Sequence, residues 1–122
     1  MTAQLVLDHP VIAAHIDAIN KLDVDAIMET FAYDALVNDA SREFWGSDHI
    51  RAFITKEFVG DRITVDPFEI VDNAGMLCVR CRYDGDYDKT GLPDPLVMTS
   101  YFRLRDDKIV SLLIIKNTQP QY

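Results

Sequence analysis

The chain reads as an α+β domain in which three N-terminal helices pack on one face of a curved, mainly antiparallel sheet. Three observations carry this reading. Apolar residues recur at helical spacing through the first sixty positions. From about residue 62 the period shortens to that of strands. The breaks between those strands are short turn-forming clusters, as in hairpins.

Each element follows in order. Val11, Ile12, His15, Ile16 and Ile19 share one helical face, and Pro10 sits where a first helical turn tolerates it. Asp23 is placed to cap a second helix with Val24, Ile27, Met28 and Phe31 on its apolar face. Residues 33–39 form a short strand, and Gly46-Ser47 opens a third helix with Ile50, Phe53, Ile54 and Phe58 inward, closed by Gly60. Residues 62–71 alternate in part, Asp72-Asn73-Ala74-Gly75 reads as a hairpin turn, and 76–87 is a strand with Arg80, Arg82 and Asp84 on an outer row. A loop rich in Gly, Pro and Asp spans 85–95; strands at 96–105 and 108–116 are joined by Asp106-Asp107.

The 122 residues allow one domain, residues 1–122, with a core large enough to need no disulfide staple. The formal charge is −8, from 20 acidic against 12 basic side chains. No basic stripe is available to neutralise phosphates, so nucleic acid and anionic membrane surfaces are excluded as partners. No apolar run approaches a membrane span and no signal-peptide pattern opens the chain, so a soluble cytoplasmic protein is expected. Cys78 and Cys81 form a C-x-x-C, but on a strand an odd separation points the sulfurs to opposite faces, which argues against redox or zinc chemistry. His9, His15 and His49 are too scattered for a metal site, and no nucleotide or serine-hydrolase motif occurs; neither metal nor cofactor is expected. In the last strand Ile109, Val110 and Leu112–Ile115 are apolar on both faces, which predicts a homodimer through the outer sheet face.

Three runs carry a resemblance: His15–Asp23, Phe31–Asp39 and Trp45–Phe53, with a final hairpin at Tyr101–Val110. Together they resemble the nuclear-transport-factor-2-like superfamily, and within it the ketosteroid isomerases and SnoaL-like polyketide cyclases. The resemblance implies a cone-shaped domain, its strongly curved sheet wrapped round a long helix, with an apolar cavity for a hydrophobic small molecule. It places Asp39 where the isomerases have their general base, His15 where they have a tyrosine donor, and Ser100 where they have a protonated aspartic acid. The base position is thus kept and both oxyanion-hole positions are changed. The pocket it implies is lined by Ile12, Ile19, Phe31, Val37, Phe53, Met98, Phe102 and Leu112.

Such positions matter because moving a proton next to a carbonyl needs a base near the carbon and a donor facing the oxygen. For Asp39 the competing structural reading is a strand-end aspartate bonded to the backbone of residues 40–42. His15 either donates to a substrate oxygen or hydrogen-bonds Asp39. Tyr83, Tyr101 and Trp45 are read as packing aromatics able to line a pocket or its rim. Two functional readings follow: an isomerase- or cyclase-type enzyme, or a non-catalytic ligand-binding or dimerisation module. Asp–His pairs also activate water, which leaves a hydrolase or dehydratase as a third. A cavity fit for a bicyclic ligand and faced by both Asp39 and His15 favours chemistry; an interior filled by Phe31, Phe53, Phe68 and Phe102 favours the module.

Overall fold

The structure, a computed structural model, describes residues 8–117. The elements are α1 (Pro10–Asn20), α2 (Val24–Glu29), β1 (Phe31–Asp39), β2 (Arg42–Trp45), α3 (Gly46–Phe53) running on into a π-helical turn (Ile54–Val59), β3 (Thr64–Asn73), β4 (Met76–Asp84), β5 (Leu96–Arg105) and β6 (Lys108–Lys116). The six strands form one sheet in the order β2-β1-β6-β5-β4-β3. All neighbours are antiparallel except β1 and β6, which run parallel and make the sheet mixed.

Pro10 occupies the start of α1, as expected, and the helix buries Ile12, His15, Ile16, Ala18 and Ile19. Its end is closed by backbone alone. Asp23 N–H donates to Ala18 O and Leu22 N–H to Ile19 O, with Leu22 in the left-handed region at φ 56°. That is the Schellman arrangement, here without the usual glycine. The next residue, Asp23, caps α2 by accepting from Ala26 N–H at 3.1 Å. The two helices are therefore joined by a loop with no slack.

β2 was not anticipated from the sequence. It pairs with β1 through a two-residue turn at Ala40-Ser41, both at positive φ (53° and 66°), between paired Asp39 and Arg42. This turn geometry normally announces itself by Asn or Gly, and neither is present. The hairpin at Ala74-Gly75 and the turn at Asp106-Asp107 follow the same backbone pattern. The helix expected over 46–60 has its predicted inward residues, Ile50, Phe53, Ile54 and Phe58. Its second half is π-helical and ends at Gly60, where a Cβ would collide with the Lys56 carbonyl oxygen. β4 ends three residues earlier than expected, at Asp84.

Alternation along β4 puts Leu77, Val79 and Cys81 inward, against the helices, and Cys78, Arg80 and Arg82 outward. The two cysteine sulfurs are thus on opposite faces, and both thiols are free. Phe68 departs from expectation: it sits at an irregularity in β3 between Pro67 and Glu69, and the Arg82 guanidinium lies 4.3 Å over its ring. It belongs to the outer surface rather than the core. The core itself joins α1, α2, α3 and the inner faces of all long strands, with Ile12, Ile27, Ile50, Ile109, Val37 and Val79 fully buried. Among the described residues no helix is long and apolar enough to cross a membrane.

One side chain ties the helical layer to the edge of the sheet. Asn20, the last residue of α1, donates to Val65 O at 2.9 Å and accepts from Val65 N–H at 2.7 Å, imitating a neighbouring strand. Replacing it by alanine orphans both groups of Val65, and Asn20→Ala is expected to cost about 1–3 kcal/mol in urea unfolding. Lys21→Ala removes only an exposed ion pair with Asp17 and should leave the midpoint unchanged.

Candidate functional site

The candidate residues come from three elements brought together by strand register. Asp39 at the end of β1 pairs with Ile114 of β6, Ile114 with Ser100 of β5, and Ser100 with Val79 of β4. These four residues form one row across the inner face, so Asp39 and Ser100 are two strands apart with Ile114 between them. Tyr83 lies one inward step beyond Cys81 on β4, four residues from Val79 and on the same face.

Two voids flank this row. The outer one has a volume of about 140 Å³ and is walled by Asp39, Tyr83, Tyr87, Phe58, Met98 and Ile114, with Glu57, Asp61, Ile63 and Leu96 completing it. The inner one, about 10 Å³, touches His15, Ile19, Cys81, Ser100, Phe102 and Leu112 among others. A void of that size holds at most one water molecule. Phe58, Tyr83 and Ile114 line both and form the partition. Of the residues expected in the pocket, Met98 lines the outer void and Ile19, Phe102 and Leu112 the inner one. Ile12, Phe31, Val37 and Phe53 are buried in the core and line neither.

Asp39 is held in a defined electrostatic setting. Its side chain is 16% exposed, and its carboxylate accepts from Arg42 Nη2 at 2.9 Å. The same guanidinium grips Glu57 with two bonds, at 2.8 and 2.9 Å, and stands over the rings of Phe44 and Phe53. Burial raises the Asp39 pKa above the ordinary aspartate value; Arg42 opposes the shift and Glu57 adds to it. The carboxylate therefore bonds a side chain, Arg42, rather than the turn's backbone N–H groups. Arg42 also donates to Asp39 O, at 3.3 Å.

His15 and Asp39 are not partners. His15 Nδ1 lies 3.0 Å from Thr30 Oγ1, and the Thr30 hydroxyl donates to Ile27 O at 2.6 Å. Thr30 can then only accept from His15, so Nδ1 carries the proton and Nε2 keeps its lone pair. The ring stands edge-on to Phe31 and Phe102, 5.4 and 5.5 Å between centroids. Burial lowers its pKa to about 4, so it is neutral at physiological pH.

Tyr83 is the residue that the strand reading undervalued. Burial pushes its phenol well above the ordinary range; the buried Cys81 thiol and the Asp39 charge add to this, and a hydrogen bond with Ser100 works against it. It is therefore a neutral O–H donor lining the same void as Asp39. The available signal was the alternation that sets Leu77, Val79, Cys81 and Tyr83 on one face. Arg42 and Glu57 carried no such signal, because their meeting depends on β2 and on the π-helical turn. Cys81 is pushed up to about 12 by burial and is inert as a nucleophile.

The mixed six-stranded sheet with three helices on one face is a nuclear-transport-factor-2-like fold. The SnoaL-like domain family model matches residues 12–112, and the chain belongs to that family. Solved structures agree. A candidate polyketide cyclase from Sinorhizobium meliloti is 25% identical over 87% of this chain and 94% of its own, with a TM-score of 0.78. The epoxide hydrolase/cyclase-like enzyme SalBIII, of pyran ring formation in salinomycin, is 19% identical over 89% of each chain, with a TM-score of 0.74. A protein of ketosteroid isomerase-like fold from Catenulispora acidiphila, in complex with trimethylamine, is 18% identical over 88% of this chain and 85% of its own, with a TM-score of 0.71. No curated protein matches the chain.

The buried neutral imidazole makes a stability prediction. The unfolded ring takes up a proton near pH 6.5, whereas the folded ring takes one up only near 4. The unfolded state therefore binds more protons across that window, and stability falls as pH drops through it, by up to about 3 kcal/mol from this residue. Urea midpoints measured between pH 7 and pH 4 should show this slope in the wild type and a shallower one in His15→Leu.

Proposed function

We propose that the chain is a proton-transfer enzyme of the isomerase or cyclase type, acting on a carbonyl group of a hydrophobic small molecule. The observation that carries this reading is that Asp39 and Tyr83, a desolvated carboxylate and a buried neutral phenol, wall one void. In the proposed step the Asp39 carboxylate removes a proton from the carbon next to the carbonyl. The C–H electron pair becomes the C=C bond of an enolate, and the carbonyl π pair moves onto oxygen, where the Tyr83 O–H receives it. Asp39, now protonated, returns the proton to a different carbon in an isomerisation. In a cyclisation the enolate carbon instead bonds to a second electrophilic carbon, whose oxygen takes the proton. All of this uses side chains alone.

Ser100 supports Tyr83 by hydrogen-bonding its phenol, and Arg42 fixes the rotamer of Asp39. With its proton committed to Thr30, His15 acts as a buried prop that offers Nε2 as an acceptor. We take the sheet to wrap α1 as a cone with the 140 Å³ void at its open end. The fold of the polyketide cyclase-like and epoxide hydrolase/cyclase-like neighbours supports the reaction class, and a cytoplasmic setting fits it.

Asp39→Asn should lower the rate of solvent-deuterium exchange into a bound ketone by about 10²–10⁴-fold, and Tyr83→Phe by about 10²–10³-fold, with ketone affinity little changed. NMR of the ketone in deuterated buffer reads both. Exchange that persists unaltered in Asp39→Asn removes this residue from the chemistry.

Two observations favour a ligand-binding module instead: Asp39 and His15 line different voids, neither of them sized for a bicyclic ligand, and the inner one is filled almost completely around His15 and Ser100. Both readings include a dimer. Val71, Cys78, Tyr101 and Leu113 line up across four strands on the outer sheet face, and Val71, Leu113 and Ile115 are exposed there. We propose that a second copy covers this row. Sedimentation should show a dimer for the wild type and a monomer for Leu113→Asp combined with Ile115→Asp.

A further inference from the structure

The void beside Asp39 is small and is closed on its inner side by Phe58, Tyr83 and Ile114. At about 140 Å³ it is close to the roughly 150 Å³ of an engineered apolar cavity that takes up one benzene ring. The inner void contributes only about 10 Å³ more, so on the side closed by Phe58 there is no room for a second fused ring. Phe58, the main element of the partition, is buried and stands edge-on to Phe53 and Tyr83 at 5.6 and 6.3 Å between centroids. It sits on the π-helical turn, two residues before Gly60.

The charge around the void is one-sided. Asp39, Glu57 and Asp61 are among its walls, and Arg42 is bonded to the first two. Three carboxylates against one guanidinium leave a negative rim. An anionic ligand would lose its hydration there and meet like charge, whereas a neutral ring meets Phe58, Ile63, Leu96, Met98 and Ile114.

We propose that the site selects a carbonyl compound built on a single six-membered ring and carrying no negative charge, and that Phe58 sets this size limit. The proposal deepens the reading of the Asp39 void as the reaction site and rests on it. The void shares Tyr83, Tyr87 and Leu96 with a cleft of about 540 Å³ walled by residues 82–84, 87, 89 and 92–96, which can receive larger flexible substituents.

The test compares three probes: cyclohexanone, the rigid fused-ring ketone trans-2-decalone, and 4-oxocyclohexanecarboxylate. Binding is read from amide chemical shifts of the full chain at pH 7. The wild type should bind cyclohexanone at least 10-fold more tightly than either of the others. Phe58→Ala should bring decalone to within about 3-fold of cyclohexanone without improving the carboxylate. If that variant does not fold, Ile114→Ala on the other side of the partition should show the same change. Wild-type binding of decalone or of the carboxylate as tight as that of cyclohexanone overturns the proposal, as does failure of cyclohexanone to shift residues lining the void. The outcome is separable from the catalytic reading. Size selection that persists while Asp39→Asn still exchanges deuterium supports this inference and defeats only the assignment of Asp39 as base.

Discussion

The parallel pairing of β1 with β6 is the contact on which the site depends. It brings residues 36–39 beside residues 111–114, two segments far apart in the chain, and it alone places Asp39 in line with Ile114 and Ser100. Thr30 O, just before β1, accepts from Ile109 N–H at 2.8 Å, and the register shifts between Phe31 and Leu36 ahead of the Asp39 pairing. A slip of one residue would turn every β1 side chain to the other face, removing Asp39 from the void and Val37 from the core. The apolar burial that forbids this slip thereby positions the candidate base. Fold stability and site geometry are one constraint at this point.

The polar groups inside the domain are set in different protonation states by their surroundings. Burial holds His15 neutral, with Nδ1 bonded to Thr30, and burial keeps the Tyr83 phenol neutral. Asp39 alone keeps a compensating cation, Arg42, which it shares with Glu57. A carboxylate whose pKa burial raises and Arg42 lowers stands beside a phenol whose pKa burial raises. A carboxylate of raised basicity beside a neutral hydrogen-bond donor suits general acid–base work. The turn at Ala40-Ser41 is what delivers Arg42 to this spot, at the cost of two non-glycine residues in the left-handed region.

Much of the fold was legible because it is written in local pattern. The apolar faces of α1 and α3, the Asp23 cap, the hairpin turns and the opposite facing of Cys78 and Cys81 all follow from periods of 3.6 and 2. The resemblance added the positions of Asp39, His15 and Ser100. What stayed hidden depends on long-range geometry or on turns without signature residues. β2 is four residues long and its turn lacks Asn or Gly. The β1–β6 pairing spans most of the chain. Phe68 carries a core-type side chain but falls at a strand irregularity that turns it outward. The His15–Thr30 bond, the Arg42–Glu57 grip and the volume of the void are properties of packing, which no spacing of residue types encodes.

The account stands on Asp39 being a desolvated carboxylate whose charge Arg42 sustains. Titration of its side-chain carboxyl by carbon-detected NMR in the free protein tests this most directly. The resonance should titrate above the ordinary aspartate value in the wild type, higher still in Arg42→Met, and lower in Glu57→Gln, since burial and Glu57 raise the pKa while Arg42 lowers it. A carboxyl that titrates at or below the ordinary value, and does not respond to the loss of Arg42, would contradict the assignment.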